Sequence, residues 1–485
     1  MIAKKSNSIK RLVFAVFVVV AIYVMQTNLV AQTANSSPYS RYGIGDIGGK
    51  GYGQNFAMAG TSIAVQNDSA PLYFINSNNP ASYSNVYLTA AELGVTGNRM
   101  QLQSTSSKKT INNASLAYLT LAVPVKKWWG AAVGLIPYSS VGYKVSDHKE
   151  INNVGPVDFL YEGSGGVNQF YVGNGIKPLY GLANMYSKSK RYQRLKEQGL
   201  NEKNYQILKR KKSWQALSIG VNASYMFGNI DNIRRSIVPA SYQGFDVRSG
   251  TTTRIGGAYL DYGLQYAYTI DSLRGRDLKE NVKILVGATF ANQANLNAKV
   301  DSLSYTYISP YGYDIVRDTI QNIEGTKGKV TFPLSLGFGF GIKKGDRFLI
   351  AADYRTQNWS SYKIFGKTQN LKNSTQISIG GQFIPNPKAS GKGTYPQRII
   401  YRAGARYANT PLELKNTQLK EYSVTFGLGL PVGRNFLLQN FSMVNIGIEL
   451  GQRGTTVNGL IKEQFVRATL GFTINDKWFV KPKFD

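Results

Sequence analysis

The sequence predicts an all-β protein: a transmembrane antiparallel up-and-down β-barrel of about 14 strands with an N-terminal hatch, or plug, inside it. Three observations predict it. Strand-length segments alternate apolar residues with small polar ones. The 485 residues include Gly 50, Tyr 32 and Phe 22, a β-rich and aromatic composition. Beyond the N-terminal leader, no uninterrupted apolar run approaches the roughly 20 residues that a spanning helix needs.

The clearest strand is the last. Val466, Ala468, Leu470, Phe472 and Ile474 share one parity, while Arg467, Thr469, Gly471 and Thr473 share the other. Side chains alternate faces along a strand, so this segment is apolar on one side and small or polar on the other. Trp478, Phe479 and Phe484 follow, as an aromatic girdle would. A soluble sheet packed on a core alternates too. The two cases separate on the polar row, where bulk water accepts Lys and Glu but a crowded lumen favours Gly, Ser, Asn and Thr.

Residues 1–31 read as a secretory signal. Lys4, Lys5, Lys10 and Arg11 precede an apolar run from Leu12 to Met25, and Ala31 offers a small residue for cleavage. Residues 32–87 are the expected hatch. They are Gly- and Asn-rich with short apolar patches, too apolar for a solvated linker and too broken for spanning strands. Small barrels of about 8 strands fill themselves with side chains and those of about 16 or more hold a water channel, so an intermediate barrel needs a plug.

Residues 88–485 are the expected barrel. Leu217, Ile219, Val221, Ala223, Tyr225 and Phe227 oppose Ser218, Gly220, Asn222 and Ser224. Leu260, Tyr262, Leu264, Tyr266, Tyr268 and Ile270 oppose Asp261, Gly263, Gln265, Ala267 and Thr269. Phe338, Phe340 and Ile342 oppose Gly337, Gly339 and Gly341, and Val444, Ile446, Ile448 and Leu450 oppose Asn445, Gly447, Glu449 and Gly451. The polar rows are small and mostly uncharged, as a barrel interior requires. Turns are expected at 343–346 and 431–434, and Asn458-Gly459 reads as hairpin chemistry near the last strands. Longer polar segments, 300–326 and 359–373, are expected as loops at the opposite end.

One insertion differs. Residues 178–212 are rich in Lys and Arg with helix-forming composition, and strand parity puts them on the side of the chain ends, the periplasm. They are either a surface insertion or a docking element for a periplasmic protein partner or for anionic material.

Composition excludes several function classes. The chain has no cysteine and one histidine, His148, so thiolate sites, disulfides and His-based catalysis are out, and neither enzyme chemistry nor any cofactor or metal is expected. The net charge of +30 is not gathered into a nucleic-acid-binding motif. Basic loops facing outer-membrane lipid and lipopolysaccharide, or plain solubility of exposed loops, account for it.

Several stretches resemble the FadL/TodX family of outer-membrane transporters for hydrophobic compounds, particularly its branch in Bacteroidota. They are AMAGTSIAVQNDSA followed by NNPAS at 78–82, GLIPYSS at 134–140, LSIGVNASYMFG at 217–228 and the closing GFTINDKWFVKPK. The resemblance implies a hatch-plugged 14-stranded barrel in the cell outer membrane. It also implies passive uptake of hydrophobic small molecules, long-chain fatty acid-like, that leave through a lateral opening. Related barrels also serve as non-transporting accessory proteins of outer-membrane assembly or secretion complexes, and that is the alternative reading.

Two residue groups are candidate sites. Met58, Phe74 and Ile75, beside Asn79, Pro80 and Ala81, either line a ligand path in the hatch or pack it against the wall. Asp353, Arg355, Glu449, Arg453 and Arg467 lie on inward parities, where low dielectric drives charges to pair; structural pairing and ligand gating are the alternatives.

Overall fold

The computed structural model describes residues 37–48, 52–66, 74–182, 185, 216–239, 241–242, 244–270, 282–310, 312–387, 389, 393–432 and 442–476. The expected signal, nearly all of the basic insertion and the aromatics Trp478, Phe479 and Phe484 lie outside the described residues.

A two-residue strand, β1 (Asp46–Ile47), precedes the wall. The wall begins with β2 (Thr89–Gln103), β3 (Lys108–Lys126), β4 (Trp129–Ile151), β5 (Gly155–Ile176), β6 (Leu217–Ile237) and β7 (Asp246–Ile270). Next, β8 (Val282–Ala291) runs on as β9 (Ala294–Ile308), and β10 (Ile315–Phe332) returns as β11 (Ser335–Lys344). After β12 (Phe348–Gln357) comes a small hairpin, β13 (Lys363–Ile364) and β14 (Lys367–Thr368). The wall ends with β15 (Ser374–Phe383), β16 (Ile400–Leu414), β17 (Thr417–Val432), β18 (Ser442–Arg453) and β19 (Lys462–Asp476). Counting β8 with β9 and β10 with β11 as single staves, this is a closed 14-strand antiparallel barrel. Closure is by β19 on β2, in register from Asp476↔Thr89 to Lys462↔Gln103.

The alternation read from the sequence is the alternation of the wall. Tyr225, Phe227, Leu264, Phe338, Phe340, Ile448 and Val466 are exposed on the outside, whereas Ser218, Asn222, Gln265, Asn445, Glu449 and Thr469 are buried inside. An apolar exterior on a closed sheet is what a barrel wall facing hydrocarbon needs, since exposing it to water costs free energy in proportion to its area.

Strand lengths are uneven. β12 and β15 have 10 residues each, about 25 Å of height at ~3.3 Å per residue and a ~40° tilt, which matches a hydrocarbon core. β7 has 25 residues, so it overshoots such a core by about 35 Å on the same geometry. The segment 300–326, expected as a loop, is part of this overshoot: β9 and β10 pair from Ala294↔Phe332 to Ile308↔Ile315. The expectation failed because its polar, two-faced sequence reads as coil. Strands that stand clear of both lipid and core show water on both faces, and Val316 through Lys327 are all exposed. The segment 359–373 carries a 3-10 turn, Trp359–Ser361, and the β13–β14 hairpin. At the other expected turns, 343–346 joins β11 to β12, 431–432 are instead the last residues of β17 with 433–434 outside the described residues, and Asn458 and Gly459 take positive φ in a short 3-10 turn between β18 and β19.

The segment before β2 packs inside the wall. Residues 52–65 and 74–76 are buried, including the short helix Gly53–Phe56. Asn79 caps the 3-10 turn Pro80–Asn85, its side chain accepting from Ala81 N. The wall yields to this turn through glycine: a Cβ at Gly263 would fall 2.0 Å from Asn79 Oδ1, and one at Gly220 would fall 2.3 Å from the Pro80 carbonyl carbon. Gln265 Nε2 donates to Ile63 O (2.8 Å), fixing the segment from the same wall face.

Candidate binding cavity and wall opening

Between the packed N-terminal segment and the far half of the barrel lies a cavity of about 790 Å³. Tyr52, Tyr118, Tyr138, Tyr171 and Tyr259 line its β3–β7 side, and Arg406, Glu421, Arg453 and Arg467 line its β16–β19 side. Tyr52 and Tyr171 hydroxyls meet at 3.0 Å, and the Tyr138 ring lies 6.4 Å from that of Tyr259. One flank therefore presents aromatic surface and the other fixed charge.

The cavity reaches a break in the wall. β3 and β4 pair from Lys126↔Trp129 to Leu119↔Leu135 and no further. Both strands continue, β3 to Lys108 against β2 and β4 to Ile151 against β5. Leu116 and Ala117 on one lip and Leu135, Ile136 and Pro137 on the other line the cavity. The sequence dictates this locally. Pro137 has no N–H to give a neighbouring strand, and β4 slips register against β5 between Pro137 and Ser139. The free edge of β4 is taken up further out by β1, with Asp46↔Ser140 and Ile47↔Ser139, and by Gly48 N donating to Tyr138 O at 2.8 Å.

The inward charges expected from parity are paired, in two groups and one anchor. Arg406 donates to Glu449 and, at 2.8 Å, to Glu421, while Arg467 Nη1 lies 3.1 Å from Glu449 Oε2. Arg453 donates to Glu463 Oε2 (2.6 Å), to both Asp46 carboxylate oxygens (2.7 and 3.0 Å) and to Ser37 Oγ (2.8 Å). Ser37 Oγ in turn donates to Glu463. Asp353 Oδ2 accepts from Ser62 N (2.7 Å) and Ile63 N (3.0 Å), and Arg355 Nη2 donates to Ser62 Oγ (2.7 Å). Thus Arg453, Asp353 and Arg355 tie the N-terminal segment to the wall, whereas Glu449 and Arg467 pair within the wall.

The six residues expected to line a hatch path fall elsewhere. Met58 and Phe74 pack with Leu285, Leu349 and Ala351, and Ile75 packs with Tyr83, Val86 and Tyr171. None of Met58, Phe74, Ile75, Asn79, Pro80 or Ala81 lines the cavity. The cavity draws instead on Arg355, Arg453 and Arg467 from the inward-charge group, and on residues not singled out from the sequence. Arg406 and Glu421 sit on inward rows and carried that signal, and Asp261 was visible only as one polar member of an alternating strand. Asp46 lies in an aperiodic stretch with no signal at all. Among the described residues no group of His, Cys, Asp and Glu could hold a metal ion.

The sequence model of the BamG family matches residues 9–184 and 187–485, nearly the whole chain. The chain belongs to the BamG family. Comparison with curated proteins returned no match. Among solved structures, this BamG-family barrel is similar to the Pseudomonas putida toluene transporter TodX, at 14% identity and a TM-score of 0.50, with 90% of this chain and 100% of that one covered. A mutant of the TodX monoaromatic hydrocarbon channel is 15% identical at a TM-score of 0.51, with 89% and 99% covered. A Pseudomonas aeruginosa FadL homologue is 10% identical at 0.50, with 90% and 99% covered. These likenesses show that the BamG-family chain has the fold of FadL-type barrels.

Proposed function

We propose that this protein is an outer-membrane channel for passive entry of hydrophobic small molecules, a class that includes long-chain fatty acid-like solutes. One observation carries the reading: the β3–β4 ladder stops at Leu119↔Leu135 and the lumenal cavity opens onto the break. A solute entering from the far end would reach an aromatic chamber stoppered below by the N-terminal segment, the hatch. It would leave sideways into hydrocarbon between Leu116 and Ile136, without crossing the plug. Burial of apolar surface along the path supplies the driving force, at about 25 cal/mol per Å², and no energy source is needed. The outer face of the barrel would contact lipid, and its basic outer strands would contact lipopolysaccharide.

The test is uptake by proteoliposomes of an apolar aromatic probe, benzyl alcohol, against liposomes carrying no barrel. Faster equilibration that is lost when the break is sealed supports the channel; equal rates with and without the barrel refute it.

A second reading, an accessory barrel of an outer-membrane protein assembly or secretion complex, is favoured by the overshoot of β4–β7, β9 and β10. These strands raise a sheet well beyond any hydrocarbon core, with Val316, Ile320 and Ile323 exposed on it. Stable co-purification of other proteins, reduced by truncating this sheet, distinguishes it from the channel. The basic insertion at 178–212 would then offer a contact for a periplasmic protein partner from the other end.

A further inference from the structure

The charges around the cavity are not balanced group by group. Among the described residues, four arginines line it, Arg355, Arg406, Arg453 and Arg467, and each has a carboxylate partner: Asp353, Glu421 and Glu449, Asp46 and Glu463, and Glu449 respectively. Three carboxylates line it: Asp46, Asp261 and Glu421. Asp46 and Glu421 are held by Arg453 and Arg406. Among the described residues Asp261 has no cation partner. One oxygen accepts from Asn222 Nδ2 at 2.8 Å, and its second oxygen has no donor among the described residues.

Its surroundings are aromatic. Asp261 sits on the inward row of β7 two residues from Tyr259, whose ring packs against Tyr138, and Tyr138 stacks on Phe332 at 5.5 Å. Tyr52 and Tyr171 complete the same flank of the cavity. Asn222, which orients the carboxylate, is itself fixed by donating to Ser77 O at 3.2 Å.

We infer that the cavity is a binding site for small molecules that carry a positively charged nitrogen on an apolar body, with Asp261 as the counter-ion and the Tyr138 and Tyr259 rings as the cation–π surface. The inference rests on the channel reading and narrows its solute class. A carboxylate-headed solute would have to share an arginine already paired with a carboxylate of the wall, at the expense of that pair. An alkylammonium or arylammonium group supplies the cation that Asp261 lacks among the described residues, and tyrosine faces attract it further. A neutral apolar solute enters the same space but draws nothing from Asp261.

Three probes of one shape decide the matter: benzyltrimethylammonium, benzoate and benzyl alcohol, titrated by calorimetry into the full barrel in nanodiscs. Benzyltrimethylammonium is expected to bind at least about tenfold tighter than the other two, a difference of about 1.4 kcal/mol. Asp261→Asn should remove that preference and Asp261→Glu should retain it, with heat-modifiable gel mobility confirming that each variant is a closed barrel. Benzoate binding as tightly as the ammonium, or a preference that persists in Asp261→Asn, overturns the inference. If benzyl alcohol binds and the ammonium has no advantage, the inference fails and the channel reading stands. If none of the three binds, both fail.

Discussion

Arg453 illustrates how a single inward charge can serve the fold. It joins Asp46 and Ser37 of the N-terminal segment to Glu463 of β19. Arg453→Met would strand Asp46 and Glu463 without a guanidinium, and removing one partner of a buried pair costs about 3–5 kcal/mol. The urea midpoint of the detergent-folded barrel should fall accordingly. Arg467→Met should cost less, because Glu449 keeps Arg406. His148 offers a solvent-side counterpart. On the outer part of β4, beyond the apolar band, its Nδ1 lies 2.7 Å from Asp158 Oδ1, and that hydrogen bond raises the imidazole pKa above its ordinary 6.5. The folded value is the higher one, so the pairing is complete below the unfolded pKa and is lost as pH rises through the folded value. An NMR titration should find His148 above its ordinary value and Asp158→Asn should lower it; a titration indifferent to that change would contradict the pairing. Arg453, Glu449, Arg467, Asp353 and Arg355 were legible from parity alone. Their partners Asp46 and Ser37 were not, because a segment without periodicity gives no direction to a side chain.

At the scale of elements, β1 lies where a solute leaving through the proposed wall opening would pass. It pairs only two residues with β4, yet it covers the β4 edge just outward of the break. A disulfide between Ile47→Cys and Ser139→Cys, opposed in register, would lock it there, and the native chain has no cysteine to compete. Directly opposed residues of an antiparallel pair are about 4.5–5.5 Å apart at Cα, within disulfide reach. Oxidation is expected to slow benzyl alcohol uptake by proteoliposomes and reduction to restore it; uptake unchanged by the lock would place the exit elsewhere. The Pro137 that ends the β3–β4 ladder was visible in the GLIPYSS stretch, but the break itself was not. Pairing between strands is a relation between two segments, and alternation within each reports only its own faces.

For the whole molecule, uneven strand heights divide the barrel into a short band with an apolar exterior, which the channel reading sets in lipid, and a taller sheet exposed on both faces. Ile448 is exposed within the band, on the 12-residue β18, and Ile320 is exposed on the far part of β10. Ile448→Lys should destabilise the barrel by about 2–4 kcal/mol, as a lysine near the bilayer midplane does. Ile320→Lys, on a surface already in water, should stay within about 0.5 kcal/mol. Unfolding titrations in lipid vesicles measure both, and equal costs would mean that the assignment of band and sheet is wrong.

The alternation of apolar and small polar residues by itself determined that this chain is built of strands and which side chains share a face, because strand period is a local property of the chain. Only the tertiary structure decided that the inward arginines are neutralised by carboxylates of other segments while Asp261 has no cation among the described residues, that β3 parts from β4, and that 300–326 stands as strands. Each of those depends on which distant segment arrives opposite, and closing a ring of strands brings together residues hundreds of positions apart that no single stretch can anticipate.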